Sequence, residues 1–72
     1  SYFMEKKIYV VGLDSDDIKA KSEAAVNTLE GIKSVLASTE KAQVLVDFDE
    51  SIADIESKIT TALEGVGLTV LD

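Results

Sequence analysis

The sequence has no cysteine, no histidine and no proline. Without cysteine there is neither a disulfide nor a thiolate, and without histidine there is no imidazole to act as a base or a metal ligand. The lysines are scattered over polar positions, so the chain shows no arrangement typical of nucleophilic or acid–base catalysis. We therefore predict that the protein is not an enzyme and that it uses no cofactor.

Basic residues and long hydrophobic runs are also scarce. The chain carries 7 basic and 14 acidic residues, a formal net charge of -7, and its one adjacent basic pair is Lys6-Lys7. Nucleic-acid binding depends on basic clusters that release counterions, so we predict no nucleic-acid partner. No apolar run approaches the roughly 18–20 residues that a membrane span needs, and no signal peptide precedes the first strand. We expect a soluble, cytoplasmic protein with no membrane partner.

What the chain does contain is enough apolar material for one small core. It has 72 residues, of which 46% are hydrophobic. A chain of this length forms one domain and buries only about 60% of its unfolded surface, so its stability is marginal. We predict a single domain over residues 1–72, and we expect Ser1, Tyr2 and Phe3 to be an addition ahead of a natural start at Met4.

Apolar periodicity in the first half predicts a strand, a helix and a hairpin. Residues 7–11 are β-branched or aromatic and are followed by Gly12, as is typical of a strand. A helical spacing comes next, and its core-facing stripe is Ile18, Ser22, Ala25, Val26 and Leu29. Gly31 is predicted to stop this helix. Residues 32–37 and 43–48 are predicted strands joined by a short loop.

The second half predicts another helix and a last strand. Ser51 and Asp54 have the spacing of a capping box where this helix opens. Its core stripe is Ile52, Ile55, Ile59, Ala62, Leu63 and Val66. Gly65 and Gly67 are predicted to end it, before a strand over residues 68–71. The order β-α-β-β-α-β predicts an α+β fold, the ferredoxin-like sandwich, with a four-stranded antiparallel sheet and both helices on one face.

The loop before the first helix resembles the metal-binding loop of the heavy-metal-associated domains. This family includes small copper chaperones and the N-terminal domains of copper-transporting ATPases, and its hallmark is Gly-Met-x-Cys-x-x-Cys. The corresponding residues here are Gly12, Leu13, Asp14, Ser15, Asp16, Asp17 and Ile18. Gly12 matches the family's glycine, and Leu13 stands where the family has a buried methionine. Ser15 and Ile18 occupy the two cysteine positions.

The resemblance extends over essentially the whole chain. Residues 29–35 are similar to the family's Leu-Pro-Gly-Val-x-x-Val segment, residues 46–49 to a strand that ends in aromatic-Asp, and residues 64–68 to its closing glycine-aromatic segment. Most of these are core or turn positions. The resemblance implies the family's fold and a place in metal transport or metal homeostasis.

The two substituted positions remove the copper ligands. In the family that the loop resembles, two thiolates at a helix N-terminus hold Cu(I). Ser15 has a hard, neutral hydroxyl, and Ile18 has no donor atom. We therefore predict that the chain has no metal site at these positions and acts through protein–protein contact. The resemblance implies docking through this loop, and the candidate partner is a metal-transporting ATPase.

Three carboxylates in the same loop leave one alternative open. Asp14, Asp16 and Asp17 could hold a hard cation such as Ca²⁺ or Mg²⁺ weakly. A helix N-terminus is partly positive, however, which disfavours a cation and favours carboxylates there. The competing interpretation is that Asp14 or Ser15 caps the helix while Asp16 and Asp17 complement its dipole. An acidic loop would also favour a basic partner surface.

The face of the sheet away from the helices is the candidate contact surface. Strand alternation predicts that the inward side chains are Ile8, Val10, Val35, Ala37, Val44, Val46, Phe48 and Val70. The same alternation places five apolar side chains outward, namely Tyr9, Val11, Leu36, Leu45 and Leu71. A patch of this kind covers on the order of a few hundred Å², the size at which a contact surface is indicated. Its candidate occupants are a partner protein and a second copy of this chain. The alternative is that these are ordinary exposed apolar residues and that Tyr2 and Phe3 fold back over them.

Overall fold

The computed structural model describes residues 2–71, and Ser1 and Asp72 lie outside the described part of the chain. The elements in chain order are β1 (Phe3–Val11), α1 (Asp16–Asn27), β2 (Ile32–Ser38), β3 (Gln43–Asp49), α2 (Ile55–Val66) and β4 (Thr69–Val70). The strands form one antiparallel sheet in the order β2-β3-β1-β4. This confirms the predicted ferredoxin-like βαββαβ sandwich.

The core lies between the sheet and the two helices. Its largest fully buried apolar side chains are Phe48, Ile59, Leu63, Val26, Val44 and Val46. Three of them alternate along β3, which lies between β2 and β1 and so packs its inward face against the helices. Every side chain predicted to point inward is buried or packs against the core as a half-buried residue. Within residues 2–71, no helix is long and apolar enough to cross a membrane.

β1 is longer than the sequence predicts. It begins at Phe3, whereas the apolar pattern covers only residues 7–11. Phe3 pairs with β3, and the backbone N of Glu50 donates to the carbonyl of Tyr2 at 2.8 Å. The first half of the strand carries charged side chains, so the apolar pattern of the sequence does not include it. Tyr2 and Phe3 therefore take part in the hydrogen-bonded fold, and their origin as an addition stays a prediction.

The first helix ends earlier than predicted. α1 ends at Asn27 with Thr28 as its C-cap, so Leu29 lies in the following turn. The Thr28 hydroxyl donates to the carbonyl of Ala25 at 2.8 Å, which satisfies one of the acceptors left free at a helix end. Gly31, with φ 89°, does not stop the helix but leads the chain from the turn into β2.

The predicted start of the second helix is wrong. Ser51 and Asp54 form no capping box, because Ser51 donates from its backbone N (2.9 Å) and its hydroxyl (2.7 Å) to Asp49 Oδ1. The chain makes a further turn, and the helix begins at Ile55 after Asp54 has adopted a left-handed conformation with φ 59°. Ile52 therefore precedes the helix, although it still packs against the core.

The end of the second helix agrees with the prediction at one glycine and differs at the other. Gly67 ends α2 in a left-handed conformation (φ 107°), whereas Gly65 lies within the last turn. The backbone N of Leu68 donates to the carbonyl of Leu63 at 3.2 Å, and Leu68 is buried. Leu68 takes part in the turn that ends α2, and β4 covers only Thr69–Val70, which is shorter than the predicted strand over residues 68–71.

Candidate functional site

One buried side chain and one glycine hold the loop between β1 and α1 in place. Leu13 is only 3% exposed and belongs to the core, as expected for the position of the family's buried methionine. Gly12 has φ 106°, a conformation that favours glycine, and its carbonyl accepts from the backbone N of Asp14 at 3.0 Å. The loop therefore presents Asp14 and Ser15 at the surface, directly before α1.

Ser15 is the N-cap of α1. Its backbone is extended (φ -149°, ψ 162°), and its hydroxyl oxygen accepts from the backbone N of Ile18 at 3.2 Å. Its carbonyl accepts from the backbone N of Lys19 at 3.0 Å. The bond to the hydroxyl satisfies an N–H group that the first turn of a helix otherwise leaves free, and the bond to the carbonyl is the first hydrogen bond of the helix itself. Of the two caps that the sequence allows, Asp14 and Ser15, the structure therefore shows Ser15.

Ile18 occupies the second cysteine position, and its side chain packs against the core. It is half-buried, and its carbonyl accepts from the hydroxyl of the fully buried Ser22 at 2.7 Å. An alkyl group at this position adds apolar burial and offers no donor to an ion. Ser15 and Ile18 therefore cap and anchor α1.

The three loop aspartates do not come together as a ligand set. Asp14, Asp16 and Asp17 are all exposed, and Asp17 Oδ2 lies 3.1 Å from Lys21 Nζ. Successive residues on a helix are rotated by about 100°, so neighbouring aspartates in its first turn diverge. Among residues 2–71 there is no group of three or more His, Cys, Asp or Glu side chains placed to hold a metal ion. Asp16 and Asp17 lie in the first turn of α1, where negative charge complements the helix dipole.

α1 also contacts the edge of the sheet through Glu23, a residue that the sequence analysis does not identify. Glu23 Oε2 accepts from Lys19 Nζ and from the backbone N of Ala37 in β2, both at 2.9 Å. The hydrogen bond from Lys19, and next that from Ala37, hold the pKa of the Glu23 carboxyl below its ordinary value. The spacing of Lys19 and Glu23 is visible in the sequence, but the contact with Ala37 depends on how α1 packs on β2.

The open face, which is the sheet face that the helices do not cover, carries the predicted outward residues. The exposed fractions are 49% for Tyr9, 56% for Val11, 57% for Leu36 and 49% for Leu71, and Leu45 is half-buried. These five side chains are called the apolar patch below.

The sheet register brings the members of the apolar patch close together, with Lys7 directly opposite Leu45 on the same face. Leu36 lies directly opposite Leu45, and the backbone N of Leu71 donates to the carbonyl of Tyr9 at 2.8 Å. Tyr9 is the diagonal neighbour of Leu45 across β1 and β3, a separation of about 7–8 Å that large side chains can bridge. Val11 is the last residue of β1 and adjoins the loop before α1. The patch therefore runs from β2 to β4 at the end of the sheet that carries this loop.

The other end of the open face is charged, apart from one aromatic residue that the prediction missed. Glu5 lies directly opposite Asp47, which places two negative charges side by side. Phe3 is 48% exposed, and Lys33 Nζ lies 5.3 Å from the centroid of its ring. Such a cation–π contact covers the ring with a charge. The apolar patch is therefore confined to the half of the open face nearest the loop.

Comparison with known proteins gives structural neighbours. No family model matches the sequence, and no curated protein matches it. The CopZ metallochaperone is 28% identical, with 94% of this chain and 100% of that chain covered and a TM-score of 0.88. The N-terminal domain of ZntA in the apo-form is 27% identical, with 97% and 92% covered and a TM-score of 0.84.

A third neighbour shares the fold at lower identity. It is a copper binding domain from HMA7, a P-type ATPase, which is 20% identical, with 94% of this chain and 93% of that chain covered and a TM-score of 0.82. The resemblance read from the loop and the strands is therefore confirmed by whole-chain superposition. In fold this chain is similar to these metal-binding neighbours, and its lack of cysteine fits a degenerate heavy-metal-associated domain.

Proposed function

We propose that this chain is a non-enzymatic domain of metal homeostasis that acts by contact with another protein and carries no copper itself. The observation that carries the proposal is the structural role of the residues at the family's two cysteine positions. Ser15 supplies a capping hydroxyl there, and Ile18 supplies an alkyl group packed against the core. The proposed setting is the cytoplasm, beside a metal-transporting ATPase.

The chemistry of copper supports this proposal over a carrier role. Cu(I) prefers thiolate and thioether ligands, and a hydroxyl is too hard a donor to replace them. The sequence has no cysteine or histidine, and its single soft donor is the thioether of Met4. Met4 lies near the start of β1 and not in the loop before α1. One thioether does not reproduce a site built from two thiolates.

The apolar patch is the proposed contact surface. Its side chains would be removed from water by a partner, and that burial is the main driving force of association. Asp14, Asp16 and Asp17 are exposed, with Lys21 beside one of them, and favour a basic region on the partner. Charge of this kind steers association, and its effect weakens as salt screens it.

The first experiment tests the absence of a copper site. Purified protein is mixed with Cu(I) and a competing chelator, and copper retention is measured beside a variant with both Ser15→Cys and Ile18→Cys. We expect the natural sequence to retain no copper and the double variant to retain about one ion, because the loop retains its glycine and its buried anchor at Leu13. Stoichiometric copper in the natural protein would contradict the proposal.

The second experiment tests the contact surface. Leu36→Lys places a charge in the apolar patch, and Thr61→Lys, at an exposed position of α2, is the matched control. Binding to the soluble metal-binding domain of a metal-transporting ATPase is followed by amide chemical shifts. We expect Leu36→Lys to lose binding and Thr61→Lys to retain it. The contact proposal fails if no binding occurs at millimolar protein, or if Leu36→Lys binds as well as the natural sequence.

No observation favours the alternative of a hard-cation site. The aspartates that would form it diverge, and one of them is paired with Lys21. Titration with Ca²⁺ and Mg²⁺ would show saturable amide shifts at Asp14, Asp16 and Asp17 below about millimolar cation if such a site existed. We expect shifts that do not saturate in that range.

A further inference from the structure

The outer edge of the sheet is formed by β2, which pairs on one side with β3 and on the other side with no strand of residues 2–71. The backbone N of Ala37 donates to Glu23 Oε2 and therefore points away from β3. Because backbone groups alternate in direction along a strand, those of Val35 point the same way. A bulge between Ile32 and Ser34 interrupts the regular pairing, so the regular part of this edge is short.

Glu23 covers this edge with a carboxylate. Its side chain is 25% exposed, and that of Lys19, whose Nζ donates to the same oxygen at 2.9 Å, is 33% exposed. Lys19 therefore holds the carboxylate in place while the carboxylate occupies the N–H of Ala37. A hydrogen bond to a charged group is stronger than one between neutral groups, so a competing strand must break a strong bond before it pairs here. Charged side chains of this kind protect sheet edges.

The edge is complementary to itself once Glu23 is displaced. When two copies of β2 run antiparallel with Leu36 on the two-fold axis, Ala37 of each copy lies opposite Val35 of the other. Both residues direct N–H and C=O outward, so each of these pairs exchanges two backbone hydrogen bonds. An axis at Ala37 or at Val35 pairs that residue with its own copy and leaves the other without a regular partner. The register with Leu36 on the axis therefore makes the most hydrogen bonds.

The side chain at the axis favours the same register. Leu36 is 57% exposed and lies directly opposite Leu45 on the open face. In the paired form, Leu36 of each copy lies beside Leu36 of the other, so the two apolar patches adjoin and lose contact with water. A groove of about 360 Å³ runs along this edge, with Lys19, Leu36 and Ala37 among its lining residues. A second strand therefore has room to approach.

We propose that the outer edge of β2 is a latent contact between two copies of this chain and that Glu23 keeps it closed. While the carboxylate holds the N–H of Ala37, the two strands do not pair. When the carboxylate is removed, they pair over residues 35–37, and the short contact gives a weak dimer. Leu36 belongs to the apolar patch, so a closed edge keeps the patch free for a different protein, a consequence that rests on the proposed function.

Removal of the carboxylate tests the role of Glu23. Glu23→Ala frees the N–H of Ala37, and Asp17→Ala is the matched control, because it also removes a carboxylate of α1 that is paired with the lysine four residues away. We expect Glu23→Ala to dimerise at least about tenfold more tightly than the natural sequence in sedimentation equilibrium, because pairing then breaks no bond to Glu23. Association of Glu23→Ala no tighter than that of Asp17→Ala would overturn the proposal.

A single introduced cysteine tests the register, because the natural sequence has none. Residues opposed as Leu36 would be have Cα atoms about 4.5 Å apart, a separation that a disulfide spans. Under mild oxidation, we expect Leu36→Cys with Glu23→Ala to form crosslinked dimers at least about tenfold faster than Leu36→Cys with Glu23 retained.

Tyr9→Cys with Glu23→Ala is the control for this crosslinking, since Tyr9 is exposed on the same face but lies away from the axis. Equal rates for Leu36→Cys with and without Glu23, or faster crosslinking through Tyr9→Cys, would refute the proposed pairing. Neither experiment uses a second protein. Failure here is therefore distinguishable from failure of the proposed function, which is measured as binding to a metal-binding domain.

Discussion

Gly31 is the position at which one added methyl group should damage this fold most clearly. Its φ of 89° is a conformation that costs other residues roughly 1–2 kcal/mol. A Cβ added there would lie 2.7 Å from Ile52 Cγ1, closer than packed atoms approach. Relieving such overpacking costs typically about 1–3 kcal/mol. We therefore expect Gly31→Ala to lower the free energy of unfolding by about 2–5 kcal/mol.

This loss is large against the stability expected of so short a chain. At roughly 0.05–0.15 kcal/mol per residue, the whole domain has about 4–11 kcal/mol. Thermal unfolding followed by circular dichroism should show a fall in Tm of at least about 8 °C, since 1 kcal/mol corresponds to about 4–8 °C in a domain of this size. Urea unfolding at constant slope would give the same difference in free energy.

Two other glycines allow the cost of the backbone conformation to be measured apart from the cost of the steric clash. Gly67 has φ 107° with nothing within 4 Å of an added Cβ, so Gly67→Ala should cost only the conformational part, about 1–2 kcal/mol. Gly65 lies in α2, also with nothing within 4 Å, and Gly65→Ala should stabilise the protein by roughly 0.5–1 kcal/mol. If Gly31→Ala costs no more than Gly67→Ala, the clash with Ile52 does not exist and the reasoning is refuted.

The remaining predictions concern a carboxylate, a cap and the core. The pKa of Glu23 is lowered in the folded state by Lys19 and then by Ala37, so its stabilising effect is present above its unfolded pKa and is lost as pH falls through the folded one. Glu23→Gln should therefore flatten the acid limb of a stability–pH curve, and an unchanged limb would contradict it. Ser15→Ala should cost about 1 kcal/mol in urea unfolding, because it removes the cap of α1, and no loss would show that the hydroxyl does not cap. Phe48→Ala should cost about 3–5 kcal/mol in urea unfolding, whereas a loss below about 1 kcal/mol would show that this side chain is not central to the core.

The arrangement of elements was predictable because it depends on local patterns. Alternation along β3 and helical spacing in α1 both follow from which side chains must be buried, and the structure agrees with both. The boundaries were less predictable. The second helix begins at Ile55 because Asp49 binds Ser51 and so removes the expected cap, a competition between neighbouring polar groups that sequence spacing does not resolve.

The candidate site was likewise predictable only in part. The sequence alone determines that the two ligand positions, Ser15 and Ile18, hold no thiolate, since donor chemistry is a property of the residue and not of its placement. The sequence allows Ser15 to cap α1 and Ile18 to pack against the core, and the structure shows both.

Only the tertiary structure decided which surfaces remain uncovered. Glu23 reaches Ala37 because α1 packs across β2, and Leu68 lies in the core and not in β4. These outcomes depend on contacts between residues far apart in the chain. Composition and periodicity, by contrast, were sufficient for the fold and for the absence of soft metal ligands, because each of these follows from residue types and their local order.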